Sequence, residues 1–251
     1  MSGTDYFSLK APATDVIVVS HGQPSDPAPA EAELAELTAR VAAQLQGWRL
    51  HSATLASPGA LVNALDACNE APLIYPLFMT DGWFTQSVLP KRTAGRAARI
   101  LPPLGTDSAL PQLASDLLKE TLAAKNWHAG DTCLIIAAHG SGRSPNSARA
   151  TKHFAQAIGK TLSFGEIRLG FIEEPPYLGE VVFDTGPQTI CLPFFATIGG
   201  HVIDDIPRAL DHADYPGPRL DPIGTDPGVP ELIATALQDA ACSASHHRPL
   251  K

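Results

Sequence analysis

Two histidines and a glutamate stand directly behind three apolar runs in the second half of this 251-residue chain. LIIAA ends on His139, LGFI ends on Glu173 and Glu174, and CLPFFAT leads into IGGHV, which presents His201. Imidazole nitrogens with a carboxylate oxygen form a donor set that suits divalent cobalt, nickel, iron or zinc. Neutral imidazole also accepts a proton near neutral pH, and so does a carboxylate, so one cluster could hold a metal and take protons from a substrate. A histidine that closes a core strand is often only a turn residue. The functional reading therefore needs all three groups at one place.

The elements around them supply that place. VIVVS and LIIAA are short β-branched or aliphatic runs, and HSATLA, PLIYPLF, EIRLGFI and TICLPFF read as further strands. Between them, AEAELAELTARVAAQL puts Leu34, Leu37, Val41 and Leu45 on one helical face. SARATKHFAQAIGKTL does the same with Phe154, Ile158 and Leu162, and helices are predicted near LPQLASDLLKETLAA and VPELIATALQDAA. Alternating strands and helices imply right-handed βαβ units and a parallel sheet covered by helices on both faces. Loops at the carboxyl ends of such strands surround one crevice, where ligands bind.

The chain is also written twice. DVIVVSHGQPSDP parallels CLIIAAHGSGRSP, with His139 118 positions after His21; LIYPLFMTDGWFTQSVLP parallels ICLPFFATIGGHVIDDIP at an offset of 117; and LPPLGTDSALPQL parallels LDPIGTDPGVPEL at 119. The duplication predicts two tandem α/β lobes, residues 1–125 and 126–251, meeting near Asn126 to Asp131. It also supplies an internal control. His21 matches His139, but Ala56 stands opposite Glu173, and Phe84 (or Trp83, with the gap moved by one) stands opposite His201. One lobe keeps the whole donor set; the other has become a wall.

Small residues flank the donors. Gly199 and Gly200 remove side chains where a flat ligand would approach. GSGRSPN after His139, with Ser141 and Arg143, opens a helix whose first N–H groups favour an anion, and Arg149 and Lys152 add positive charge. A basic island, KRTAGRAAR with Lys91, Arg92, Arg96 and Arg99, lies in the first half. Overall the chain carries a net charge of −8, which argues against a general nucleic-acid binder. Cys68, Cys133, Cys191 and Cys242 are scattered without a CxxC pair and read as buried thiols of a reducing compartment. With no apolar leader or membrane-length run, a soluble cytoplasmic protein is expected.

Strand-HGS, FIE(E)P and LPFF-x₃-GGHV-x₂-DIP, all in the second half, resemble the CbiX/SirB/CbiK group of class II tetrapyrrole chelatases. The resemblance implies two flavodoxin-like lobes with a cleft between them and ATP-independent insertion of Co²⁺ or Fe²⁺, with Ni²⁺ as a further option, into the polycarboxylate macrocycle sirohydrochlorin. It implies no cofactor beyond that substrate metal. His139 and His201 would be the metal-binding and proton-accepting pair, with Glu173 assisting, and His21, Ser141, Arg143, Gly199 and Gly200 are the candidate substrate contacts. The sequence departs from the family in one respect: long members often carry the motif in their first half, and here it lies in the second.

Two other functions compete. A metal or tetrapyrrole carrier would keep the site without turnover. A serine hydrolase read from HGSG ranks low, because Ser141 is not in a G-x-S-x-G elbow. Asp204 and Asp205 are candidates either for orienting His201 or for capping the helix that follows. His51, His128, His153 and His212 read as helix-face or linker residues, and His246 and His247 as a polar tail. Duplication within one chain replaces a homodimer and so predicts a monomer.

Overall fold

A computed structural model describes residues 14–142 and 144–245, with the side chains of 244 and 245 left out; Arg143, His246 and His247 therefore lie outside the described residues. The first half contains β1 (Asp15–Ser20), α1 (Pro27–Ala42), β2 (Arg49–Thr54), α2 (Ala60–Ala67), β3 (Leu73–Pro76), α3 (Leu89–Arg92), β4 (Arg99–Ile100) and α4 (Leu110–Lys125). The second contains β5 (Cys133–Ala138), α5 (Asn146–Thr161), β6 (Glu166–Phe171), α6 (Leu178–Val181), β7 (Thr189–Phe194), α7 (Ile206–His212) and α8 (Val229–Ser245). Both sheets are parallel, in the orders β2-β1-β3-β4 and β6-β5-β7, the flavodoxin-like arrangement with the first strand inside. In place of β4, the second half has an isolated bridge between Cys191 and Arg219.

Every residue of β1 and of β7 is buried, as strands covered on both faces require. On one face of the first sheet, Ile17, Val19 and Ile74 pack with Leu61 and Leu65 of α2 and Leu89 of α3. On the matching face of the second sheet, Ile135 and Ala137 pack with Leu178 of α6 and Ile206 and Leu210 of α7. The opposite faces share one large core. Val16 and Val18 from β1, Leu134 and Ile136 from β5, and the apolar stripes of α1, α4, α5 and α8 all belong to it. Within this core α4 packs against α5, and α8 against α1. The closing helix of each repeat thus leans on the opening helix of the other. The chain crosses between the repeats at Asn126, which caps α4 in the left-handed region (φ 55°).

The repeated GTD block has a packing reason. Gly105 and Gly224 each donate an N–H over 2.9 Å to the carbonyl of Phe78 and Phe195 respectively. A Cβ on Gly105 would overlap the Met79 backbone, and one on Gly224 the Ala196 backbone, so only glycine lets the two chain segments touch.

Asp15 opens β1 almost fully buried. Its Oδ1 accepts from Arg49 Nε (2.8 Å) and its Oδ2 from Arg49 Nη2 (2.7 Å), while the Asn69 and Glu70 N–H groups donate to Oδ2 over 2.9 and 3.1 Å. Burial alone would push this carboxyl up, but the Arg49 pair and the two backbone donors together hold it below the usual carboxylate range. A carboxylate whose folded pKa is depressed stabilises the fold above its unfolded value of about 3.9 and loses that contribution as pH falls through the folded value. Asp15→Asn should therefore flatten the acid limb of a stability-versus-pH curve measured by urea unfolding, and lower stability at neutral pH.

Cys68, Cys133 and Cys191 are free thiols. Cys191 is buried, and desolvation pushes its thiol up to about 12. Cys68 and Cys133 are half-buried, whereas Cys242 is exposed, contrary to the expectation that all four are buried, because it lies near the end of α8. No helix among the described residues is long and apolar enough to cross a membrane.

Candidate active site

β5 and β6 are paired so that Ala138 lies beside Phe171, and β5 and β7 so that Ala138 lies beside Phe194. His139, Ile172 and Phe195 are therefore the first residues past one sheet edge. The Glu173 N–H donates to the His139 carbonyl over 2.8 Å, which fixes the loop after β6 against the loop after β5. His201 begins a single π-helical turn, His201–Asp205, that runs into α7. The wide turn brings its ring against that of His139, with centroids 4.6 Å apart and planes at 90°.

Hydrogen bonds set the tautomers of both rings. His139 Nδ1 lies 2.8 Å from the Gly140 carbonyl, an acceptor only, so Nδ1 carries the proton. His201 Nδ1 lies 2.7 Å from Asp205 Oδ2, and Arg208 also pairs with that carboxylate. Each neutral ring is left with its lone pair on Nε2, free to accept a metal ion or a proton. Asp205 is thus the residue that orients His201; Asp204 is exposed. Asp205→Asn should leave the fold intact yet lower any metal-dependent turnover about 10- to 100-fold, mostly in kcat, the size found when partners behind a ligating histidine are removed.

The first lobe repeats the scaffold and keeps only the first of the three donors. His21 Nδ1 is again 2.8 Å from the next carbonyl, that of Gly22. The Ala56 N–H bonds the His21 carbonyl over 2.8 Å, as Glu173 does to His139. A π-helical turn, Phe84–Val88, puts the Phe84 ring 4.6 Å from His21 at 77°. Phe84, not Trp83, is therefore the counterpart of His201, and Ala56 that of Glu173.

The Glu173 side chain is exposed at the same edge. Its neighbour turns the other way: Glu174 Oε1 accepts the Ser141 N–H over 2.8 Å and lies against Gly140. This corrects one expectation, since the Ser141 N–H at the approach to α5 is already bonded to a carboxylate and is not open to a substrate anion. Gly140 takes φ 77° and packs on Phe171, so its glycine is structural. Gly199 and Gly200 differ. A Cβ on either meets nothing within 4 Å, and neither takes a positive φ, so packing does not require glycine beside His201. A side chain at either position would project into open space.

The basic island of the first half is largely spoken for. Arg92 donates to the Leu55 carbonyl, Arg96 pairs with Asp66, and Arg99 donates to the Ala240 carbonyl on α8. A cleft of about 450 Å³ between the two repeats is lined by Asp81, Asn146, Arg149 and His153, and Asn146 bridges it to the Asp81 carbonyl over 3.0 Å. The paired histidines are not in its wall. Sequence reasoning gave no role to three large apolar side chains: Ile198 and Ile203, which flank His201 in the chain, and Trp83, against Phe84 in the other lobe. All three are exposed, Ile203 to 61 % and Trp83 to 67 %.

A duplicated flavodoxin-like fold with one surviving pair of imidazole acceptors at a sheet edge defines a class II chelatase architecture. The CbiX family profile matches residues 133–240. A solved structure of CbiX, described as the terminal enzyme for biosynthesis of siroheme in denitrifying bacteria, is 43 % identical, covers 90 % of this chain and 99 % of its own, and superposes with a TM-score of 0.83. The chain belongs to the CbiX family. SirB from Bacillus subtilis, solved with Fe³⁺, shares the fold at 16 % identity, 94 % and 98 % coverage and a TM-score of 0.75. A probable sirohydrochlorin cobaltochelatase of Halobacterium salinarum is 24 % identical over 163 residues, and the match spans about half of each chain, 54 % of this one and 55 % of that one.

Proposed function

We propose that this protein is a sirohydrochlorin chelatase that inserts Co²⁺ or Fe²⁺ without ATP and without any group beyond the substrate metal. The observation that carries the proposal is the perpendicular pair of Nδ1-protonated rings, His139 and His201, both with free Nε2 atoms, at one of two otherwise matching sheet edges. Insertion replaces two pyrrole N–H bonds with metal–nitrogen bonds and releases two protons. The imidazoles receive the ion and then the protons, and the exposed Glu173 carboxylate passes protons to solvent. Ile198, Ile203 and Trp83 offer apolar surface to the flat ring, and Arg149 and Lys152 offer charge to its carboxylates. The protein's contribution is orientation and bases. His21, in the lobe without a second donor, touches the macrocycle rather than the metal.

Anaerobic visible spectroscopy of sirohydrochlorin with Co²⁺, and separately with Fe²⁺, tests the proposal. Insertion faster than the uncatalysed reaction is expected, and the faster trace names the metal. Tight macrocycle binding with no acceleration for either ion would leave a carrier in its place.

A further inference from the structure

A second set of metal-type donors lies in the first lobe, at the amino end of its sheet. Asp15 opens β1, His51 is the third residue of β2, and Cys68 follows the last residue of α2, so all three gather toward the amino end of the first sheet. One ligand atom from each lies within 4.8 Å of the other two. That spacing lets a single ion reach a carboxylate oxygen, an imidazole nitrogen and a sulfur together.

The hydrogen bonding leaves each donor a vacancy. His51 Nε2 is buried and has no hydrogen-bond partner, a condition that costs free energy unless something else meets that nitrogen. Asp15 Oδ2 is saturated by Arg49, Asn69 and Glu70, but Oδ1 accepts only from Arg49 Nε and keeps a second lone pair. Cys68, which caps α2, donates its S–H to the Ala64 carbonyl over 3.2 Å, a bond given up when the thiol loses its proton. Arg49 opposes a cation here; the Asp15 carboxylate and a Cys68 thiolate offset it.

We infer that Asp15, His51 and Cys68 form a separate site for a divalent late first-row transition metal, with cobalt or zinc the ions its mixed O, N, S donor set fits best. The fourth position would be solvent. Binding converts the Cys68 thiol to a thiolate bonded to the metal and releases one proton to solvent. Desolvation holds that thiol above its ordinary value, so the ion must displace a proton that the empty site retains. The site shares no residue with the paired histidines and stands whether or not they catalyse insertion.

Sulfur makes the test specific, because His139, His201 and Glu173 contain none. Anaerobic Co²⁺ titration of the full chain should develop a near-ultraviolet thiolate-to-cobalt absorption saturating at one equivalent. That band should persist in a His139→Ala, His201→Ala double variant and in Cys242→Ser, the control for the exposed cysteine. It should vanish in Cys68→Ser, and in His51→Gln the affinity read from it should fall at least about 10-fold. No thiolate band at millimolar Co²⁺, or a band that survives in both Cys68→Ser and His51→Gln, overturns the assignment. Near-ultraviolet circular dichroism establishes that each variant is folded, and His51→Gln carries the test if Cys68→Ser is not.

Discussion

His139→Ala and His201→Ala each remove catalysed metal insertion, with an expected loss of about 10²-fold or more in rate, the scale of positioned general acid–base groups before any metal contact is added. Both side chains stand at the solvent edge of the sheet, and neither belongs to a core cluster. Thermal unfolding should therefore move little, which separates a chemical loss from a structural one. His21→Ala is the matched control. It deletes a ring with the same backbone hydrogen bond and the same perpendicular aromatic neighbour, but in the lobe where Phe84 replaces the second imidazole. Its effect should fall on KM, with kcat close to wild type. Equal losses of kcat in all three variants would place the chemistry elsewhere.

Gly224→Ala should destabilise the second lobe by about 3 kcal/mol, the upper part of the range for overpacking. Its Cβ would overlap the Ala196 backbone, which no rotamer change can relieve, whereas a clash with a side-chain tip can be moved aside. Ala196 lies between β7 and the His201 turn, so the displacement reaches the active site as well as the core. Urea unfolding should show a lower midpoint with an unchanged slope. Gly199→Ala provides the contrast: its Cβ meets nothing within 4 Å, so stability should hold while sirohydrochlorin binding weakens.

Much of the fold was legible because the duplication repeats at nearly constant offsets, and a spacing held over three blocks constrains topology more than any single periodicity. The strands named from the sequence fall within a few residues of β1, β2, β3, β5, β6 and β7. The stripes of Leu34, Leu37 and Val41, and of Phe154 and Ile158, are buried as their spacing requires. What was not legible has physical causes. A π-helical turn adds a residue that no apolar period announces, so Phe84 and Trp83 were indistinguishable as partners of His21 until the rings were placed. Two adjacent glutamates read alike in a sequence, yet Glu174 turns inward to the Ser141 N–H and Glu173 outward. Periodicity marks which face of a helix is buried but not which helix covers it, and so it gave no sign that α4 rests on α5 and α8 on α1.

That crossed packing has a consequence for how the molecule could have arisen and how it can be cut. A half-length ancestor with the same contacts would have been an arm-exchanged pair, each copy completing the other's helical layer, and joining two such copies head to tail would require no new interface. Once joined, the copies stop being identical by necessity. One sheet edge can trade its imidazole for a phenyl ring while the exchanged arms still hold both halves in register. Severing the chain after Lys125 should accordingly yield fragments that are poorly folded apart and active when mixed, a complementation assay in which the closing helices are the adhesive.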